Sequence, residues 1–292
     1  MDARLERERD YHNASFGAER VERKSVAKYY SVSTGLVYYR QLVEHECENK
    51  NVLEYGCGPG SSAFTLAGRG AHVTGIDLSN VAIEQARQRA RNDQLDGIDF
   101  LEGNAEALAF EADSFDLICG SAILHHLDLR KAFSEVSRTL RPDGAAIFVE
   151  PLGHNPLINL YRKCTPQLRT VDEHPLLMKD LRLAEEYFGR VETRFFQLQS
   201  FLAIPFMRFR FRRRVIRTLD AMDRALFRIV PFARRYAWQV VIVLSQPKKR
   251  NAPRSSDSLS DTQVNGCLSN DDFRVMTCGH QKTEDQVGRS GI

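Results

Sequence analysis

The stretch Asn51-Val52-Leu53-Glu54-Tyr55-Gly56-Cys57-Gly58-Pro59-Gly60 holds the residues whose types and spacing are best suited to chemistry. Three glycines at alternate positions let the chain turn tightly and offer bare backbone to a ligand. Ser61 and Ser62 follow, with hydroxyls suited to cap a helix over residues 63–69. Glu54 adds a carboxylate two residues before the first glycine. That charge opposes a pyrophosphate and suits a cationic ligand. A dinucleotide-binding Gly-x-Gly-x-x-Gly turn would place its third glycine at position 61, where this chain has serine; the third glycine comes one residue early, at Gly60.

These residues need elements to position them. Residues 51–55 form an apolar run bounded by polar residues and read as a buried strand. A second strand, 71–77, ends in Asp77, and Ser79 is placed to cap a helix over 80–92. A third strand, 98–101, leads to Gly103-Asn104-Ala105-Glu106. A fourth, 115–119, leads to Gly120-Ser121 and then Leu124-His125-His126-Leu127. A helix over 129–140, a turn at Pro142-Asp143-Gly144 and a fifth strand over 145–150 follow, the strand ending in Glu150. Beyond it, residues 176–188 read as helix, 191–198 as strand six, and 238–245 as the clearest β-run in the chain. Strands alternating with helices at this rhythm predict a parallel sheet with right-handed crossovers. Ligands on such sheets bind outside the carboxyl ends of the strands, where Glu54, the glycines, Asp77, Asn104, Gly120, Ser121 and Glu150 gather.

Glu54-x-Gly56-x-Gly58-x-Gly60 resembles the first motif of the class I S-adenosylmethionine-dependent methyltransferases. Residues 114–118 (Ser-Phe-Asp-Leu-Ile), 124–127 and 140–144 (Leu-Arg-Pro-Asp-Gly) match the remaining landmarks of that family in order and spacing. The resemblance covers 51–150 and extends more loosely to 245. It implies an α/β fold: a Rossmann-like seven-stranded sheet, mostly parallel, with strand seven antiparallel between strands five and six. Helices would cover both faces, with a helical insertion between strands six and seven. It implies S-adenosyl-L-methionine as cofactor, held by Glu54, Gly56, Gly58, Gly60, Asp77, Leu78, Asn104, Ala105, Gly120 and Ser121. Asp77 would accept two hydrogen bonds from the ribose diol. Asn104, where many relatives carry Asp, and Ala105 would meet the adenine edge. Glu54 would lie near the cationic end of the cofactor or order the glycine loop through backbone bonds.

Transfer of an activated sulfonium methyl is an in-line displacement that asks mainly for alignment and exclusion of water. It requires no metal, and the sequence displays no metal-ligand spacing. A hydroxyl acceptor would gain from a base. His125 and His126 are the candidates, a cofactor-shaping role being the other reading. Glu150, His154, Tyr29 and Tyr30 are candidates to face the acceptor. Residues 119–122, Cys-Gly-Ser-Ala, lack the Asn/Asp-Pro-Pro-aromatic motif of amino-methyltransferases that act on DNA and on some proteins and RNAs. The resemblance is therefore to the small-molecule branch, which includes quinone, sterol and natural-product methyltransferases.

The net charge of +3 over 292 residues does not mark a nucleic-acid binder. The six cysteines show neither metal-type nor disulfide-type spacing. Residues 1–10 are charged, with no apolar signal core, and no apolar run approaches 18 residues. A reduced, cytoplasmic protein is expected. It would have an N-terminal helical segment (1–50), a methyltransferase domain (51–246) and a disordered, polar tail (247–292). Residues 200–236 stand apart, with ten arginines, two aspartates and interleaved aromatic and aliphatic side chains. From Val215 the apolar residues fall at helical spacing. This is the pattern of a basic amphipathic helix that can lie on an anionic membrane; a cap packed on the sheet is the structural alternative. The expected function is methyl transfer to a small, lipophilic or aromatic acceptor at oxygen or carbon, with peripheral membrane contact through 200–236. The alternatives are an RNA or protein methyltransferase using the basic insertion, or a catalytically silent domain that binds a membrane or partner.

Overall fold

The computed structural model describes residues 2–17, 33–60, 62–166, 170, 172–206 and 208–249. Tyr29, Tyr30, Ser61 and the tail from residue 250 lie outside the described residues. Seven strands form one sheet in the order β3-β2-β1-β4-β5-β7-β6. They are β1 (Asn51–Tyr55), β2 (His72–Asp77), β3 (Ile98–Glu102), β4 (Phe115–Ser121), β5 (Leu140–Pro151), β6 (Phe188–Phe196) and β7 (Gln239–Pro247). Strands β1 to β5 pair in parallel, and β7 runs antiparallel between β5 and β6. The Rossmann-like sheet expected from the resemblance is the one observed.

Eight α-helices accompany the sheet among the described residues: α1 (Ala3–Gly17), α2 (Thr34–Glu46), α3 (Ala63–Ala67), α4 (Asn80–Asn92), α5 (Leu129–Thr139), α6 (Pro156–Cys164), α7 (Met178–Leu183) and α8 (Arg212–Ile229). Tyr39 and Val43 of α2, Leu66 of α3 and Ile83 of α4 form one core with Val52, Leu117 and Ile147 of the strands. Phe133 and Val136 of α5 and Leu181 of α7 form the other, with Leu53, Ile118 and Phe148. Helices therefore cover both faces. Neighbouring strand positions serve opposite cores, as the period of two requires. Burying a side chain such as Phe133 or Phe148 stabilises the fold by about 1.5–3 kcal/mol each, so the strand ends that carry the polar residues stand on a rigid platform.

Three local expectations are corrected. Pro142-Asp143-Gly144 lies within the extended run of β5 rather than in a free turn, and the strand pairing absorbs it: Phe115 faces Leu140, but Leu117 already faces Ala145. The helix expected over 176–188 shortens to α7 and a 3-10 turn at Ala184–Glu186, because Phe188 is drawn into β6 opposite Pro247. Helix α8 forms where amphipathic spacing predicted it, yet its buried residues are Asp220, Asp223 and Phe227. It docks mainly through carboxylates. Asp223 accepts from the amides of Leu198 and Gln199, both at 3.0 Å, and Asp220 accepts from the Thr34 hydroxyl at 2.9 Å.

Candidate functional site

The glycine loop is held from both sides by carboxylates. Glu54, buried at the end of β1, accepts from the backbone amides of Ser62 (2.7 Å) and Ala63 (2.8 Å) at the start of α3. It supplies the capping bonds that the sequence assigned to serine: Ser62 is the N-cap residue, but its side chain makes no capping bond. A carboxylate also complements the positive end of a helix. Asp77, at the end of β2, accepts from Gly58 N through Oδ2 and from Ser79 N through Oδ1, each at 2.8 Å. Each oxygen retains a further lone pair, and the side chain is half-buried. Gly56, Gly58 and Gly60 have φ of +69°, +53° and +85°, the left-handed region that glycine enters at low cost. At Gly60 an added Cβ would come within 2.2 Å of Phe64 Cε2, so the position excludes any side chain.

The other sequence-selected residues line the same edge. Leu78 follows Asp77 and is half-buried. Asn104 Oδ1 accepts from Glu106 N at 2.9 Å, which closes the turn after β3. The Ala105 carbonyl accepts from the Tyr55 hydroxyl. Gly120 and Ser121 end β4, and Gly120 packs beneath Ile123 and Phe148 with no room for a Cβ. His125 and His126 form a 3-10 turn just beyond. Their rings lie 4.2 Å apart, centroid to centroid.

Glu150 and His154, expected to face an acceptor, are engaged within the protein. Glu150 is buried and accepts from Ile123 N and Leu124 N through Oε1, while its Oε2 lies 2.7 Å from His125 Nδ1. With the proton on Nδ1, His125 donates to Glu150 Oε2 and leaves its Nε2 as an acceptor. That nitrogen lies 4.0 Å from Glu173 Oε1. His154 Nε2 accepts from Met178 N at 3.1 Å, and burial together with the nearby Arg235 lowers its pKa.

What the sequence reading missed is the placement of α1, which lies along the carboxyl edge. Arg4 donates to the His126 carbonyl (2.8 Å) and pairs with Glu106. Ser79 Oγ donates to Asn13 Oδ1 (2.7 Å), and Gln85 donates to the Phe16 carbonyl (3.0 Å). A Cβ at Gly58 would stand 3.4 Å from the Phe16 ring. Between these anchors, Glu8 is buried at 3 % exposure. Burial opposes its charge, yet His12, His126 and Thr170 hold its carboxyl well below the usual carboxylate range. Ligand atoms of Glu8, His12 and His126, a grouping that the sequence reading did not name, lie within 4.8 Å of one another. The Glu8–His12 spacing of four residues on one helix was a legible signal; their proximity to His126 was not.

A protein-family model described as "Methyltransferase domain" matches residues 53–148. The phthiotriol/phenolphthiotriol dimycocerosates methyltransferase of Mycobacterium tuberculosis is 36% identical over 111 residues, 37% of this chain and 40% of that protein. The demethylmenaquinone methyltransferase of Lactococcus lactis is 31% identical over 117 residues, 39% of this chain and 46% of that protein. The matched part spans less than half the length of these curated relatives. Among solved structures, a geranyl diphosphate C-methyltransferase from Streptomyces coelicolor A3(2) superposes with a TM-score of 0.58 at 14% identity, covering 84% of this chain and 98% of that one. A phosphoethanolamine N-methyltransferase of Haemonchus contortus gives 0.57 at 16% identity, with coverages of 82% and 60%. At such identities the structural likeness establishes the shared fold.

Proposed function

We propose, from a core that belongs to the class I S-adenosylmethionine-dependent methyltransferases, that this protein methylates a small lipophilic acceptor. The observation that carries the reading is the glycine loop held between Glu54 and Asp77 at the carboxyl edge of the sheet. Such a loop fits the cofactor: its glycines present bare backbone between Ile123, Phe16 and Phe64, and Asp77 keeps lone pairs for a ribose diol. When bound, S-adenosylmethionine supplies an activated methyl group.

The chain's own residues do the rest. Glu54 orders the loop, Asp77 takes the ribose hydroxyls, and Asn104 and Ala105 meet the adenine. Leu78, Gly120 and Ser121 complete the lining. Helix α1 roofs the site and excludes water. For a hydroxyl acceptor, His125 takes the proton on Nε2 while Glu150 holds its tautomer and orientation. This arrangement favours O-methylation over an acceptor that needs no base.

Two features support a lipophilic acceptor. The curated relatives named above act, by their names, on phthiotriol lipids and on demethylmenaquinone. The segment joining β6 to β7 exposes Leu202, Phe209, Phe211, Ile229 and Phe232 and, interleaved with them in sequence, Arg208, Arg210, Arg212, Arg213 and Arg214. Arginines interleaved with exposed aromatics suit an anionic membrane from which such an acceptor is taken. No helix among the described residues is long and apolar enough to cross a membrane, so the contact would be peripheral.

The test of cofactor binding is calorimetric titration of S-adenosylmethionine into the wild-type protein and Asp77→Ala. Loss of charge-assisted hydrogen bonds worth about 1.5–3 kcal/mol predicts affinity at least roughly tenfold weaker. Equal affinity in a folded variant would remove the assignment.

A further inference from the structure

We propose that Glu8, His12 and His126 form a binding site for a divalent zinc-type cation on the roof of the methyl-transfer pocket. Glu8 and His12 lie one turn apart on one face of α1, and His126 comes from the 3-10 turn after β4. His126 Nδ1 stands 3.2 Å and His12 Nε2 3.5 Å from Glu8 Oε2. Neither approach is aligned as a hydrogen bond: both Glu8 oxygens and His126 Nδ1 are buried without a hydrogen-bond partner among the described residues. A carboxylate 97 % buried and flanked by two imidazoles, held in its charged form with no aligned hydrogen-bond donor among the described residues, is set up to receive a cation.

The spacing and donor set suggest what that is. Ligands about 2.0–2.1 Å from a tetrahedral zinc ion stand about 3.3 Å apart, and two histidines with one glutamate make a donor set that catalytic zinc sites use. Carboxylate and neutral imidazole also suit zinc better than the all-oxygen shells of magnesium or calcium. Three protein ligands leave a fourth position open. The His126 ring lies 4.2 Å from that of His125, centroid to centroid, so the ion would stand beside the residue given the proton-accepting role above. On the methyl-transfer reading, and only there, the ion would take an acceptor oxygen and favour its deprotonated form. The site itself does not depend on that reading. The ion would also tie α1 to the turn after β4, closing the roof.

The experiment uses the full chain, stripped with a chelator and titrated with Zn2+ alone by calorimetry and with Co2+ by visible absorption. One equivalent of Zn2+, a four-coordinate Co2+ spectrum and a higher unfolding temperature with Zn2+ are expected. Glu8→Gln and His12→Gln should each weaken Zn2+ binding at least tenfold, whereas His45→Gln, at an exposed histidine on α2, should not change it. His12 is partly exposed, so its variant is expected to fold, and circular dichroism checks this. Absence of stoichiometric Zn2+ binding, or affinity unchanged in both variants, overturns the site. S-adenosylmethionine titration on the same samples separates the two readings. Zinc binding without cofactor binding would keep the metal site and remove the methyltransferase. Cofactor binding without zinc would do the reverse.

Discussion

At the scale of residues, the site depends on carboxylates that hold backbone amides. Glu54 is a capping residue acting across the loop, and it fixes where α3 begins. Replacing it by alanine strands two amides near the core. Each amide left unsatisfied costs about 1–3 kcal/mol, so Glu54→Ala should lower the urea midpoint and weaken cofactor binding together. Glu54→Gln, which keeps one acceptor, should lose less of both. A neutral Glu54→Ala would mean that the loop holds itself. Glu54 and Asp77 were legible as carboxylates beside the glycine loop because their positions, at the ends of two strands, are local facts of sequence. Their bonding partners were not: Ser79 N is near Asp77 in the chain, but Gly58 N is nineteen residues away. The placement of Glu150 shows the same limit. Its position at a strand end resembled a substrate-facing carboxylate, and only packing turned it inward to His125.

At the scale of elements, α1 and α8 differ most from what the pattern suggested. Neither is held by a broad apolar face. Helix α1 has only Leu5 and Glu8 buried, and is fastened by Arg4 and Asn13 to groups beside the strand ends and by Arg7 to Asp172 in the connection between α6 and α7. Helix α8 is fastened by Asp223, whose carboxyl is raised in pKa by burial despite the bonds from Leu198, Gln199 and Ser200. Asp223→Ala should therefore free α8 locally while the seven-stranded sheet stays folded. Limited trypsin digestion should then cut first at the arginines near residues 208–217, at least several-fold faster than in the parent protein. Far-ultraviolet dichroism should change little. Unchanged cleavage would show that Phe227 against Phe195 alone holds the helix. Hydrophobic periodicity from Val215 could announce that α8 exists, though the helix begins at Arg212, and apolar spacing carries no information about a helix anchored by acids.

At the scale of the whole molecule, the rigid sheet carries two specialised surfaces: the roofed carboxyl edge and the arginine-aromatic surface between β6 and β7. If the latter meets membranes, the protein should float with phosphatidylglycerol vesicles at low salt and be released at high salt. Each arginine near an anionic surface contributes about 1 kcal/mol. Neutralising Arg212, Arg213 and Arg214 to glutamine should thus weaken binding roughly a hundredfold, and Phe209→Ser with Phe211→Ser should abolish the salt-resistant part. No flotation of the parent protein would make this surface a structural cap and direct the search to soluble aromatic acceptors. Sequence alone determined the parallel sheet, the position of the glycine loop and the polar strand ends, because periodicity, turn residues and motif spacing act over a few to tens of residues; the antiparallel seventh strand was implied by the family resemblance. Only the tertiary structure decided that residues 3–17 lie along the carboxyl edge and that Glu8 and His12 meet His126. It also decided that Glu150 is spent on His125. These are pairings between side chains 25 to more than 100 positions apart, and the burial that forces them exists only once the chain is packed.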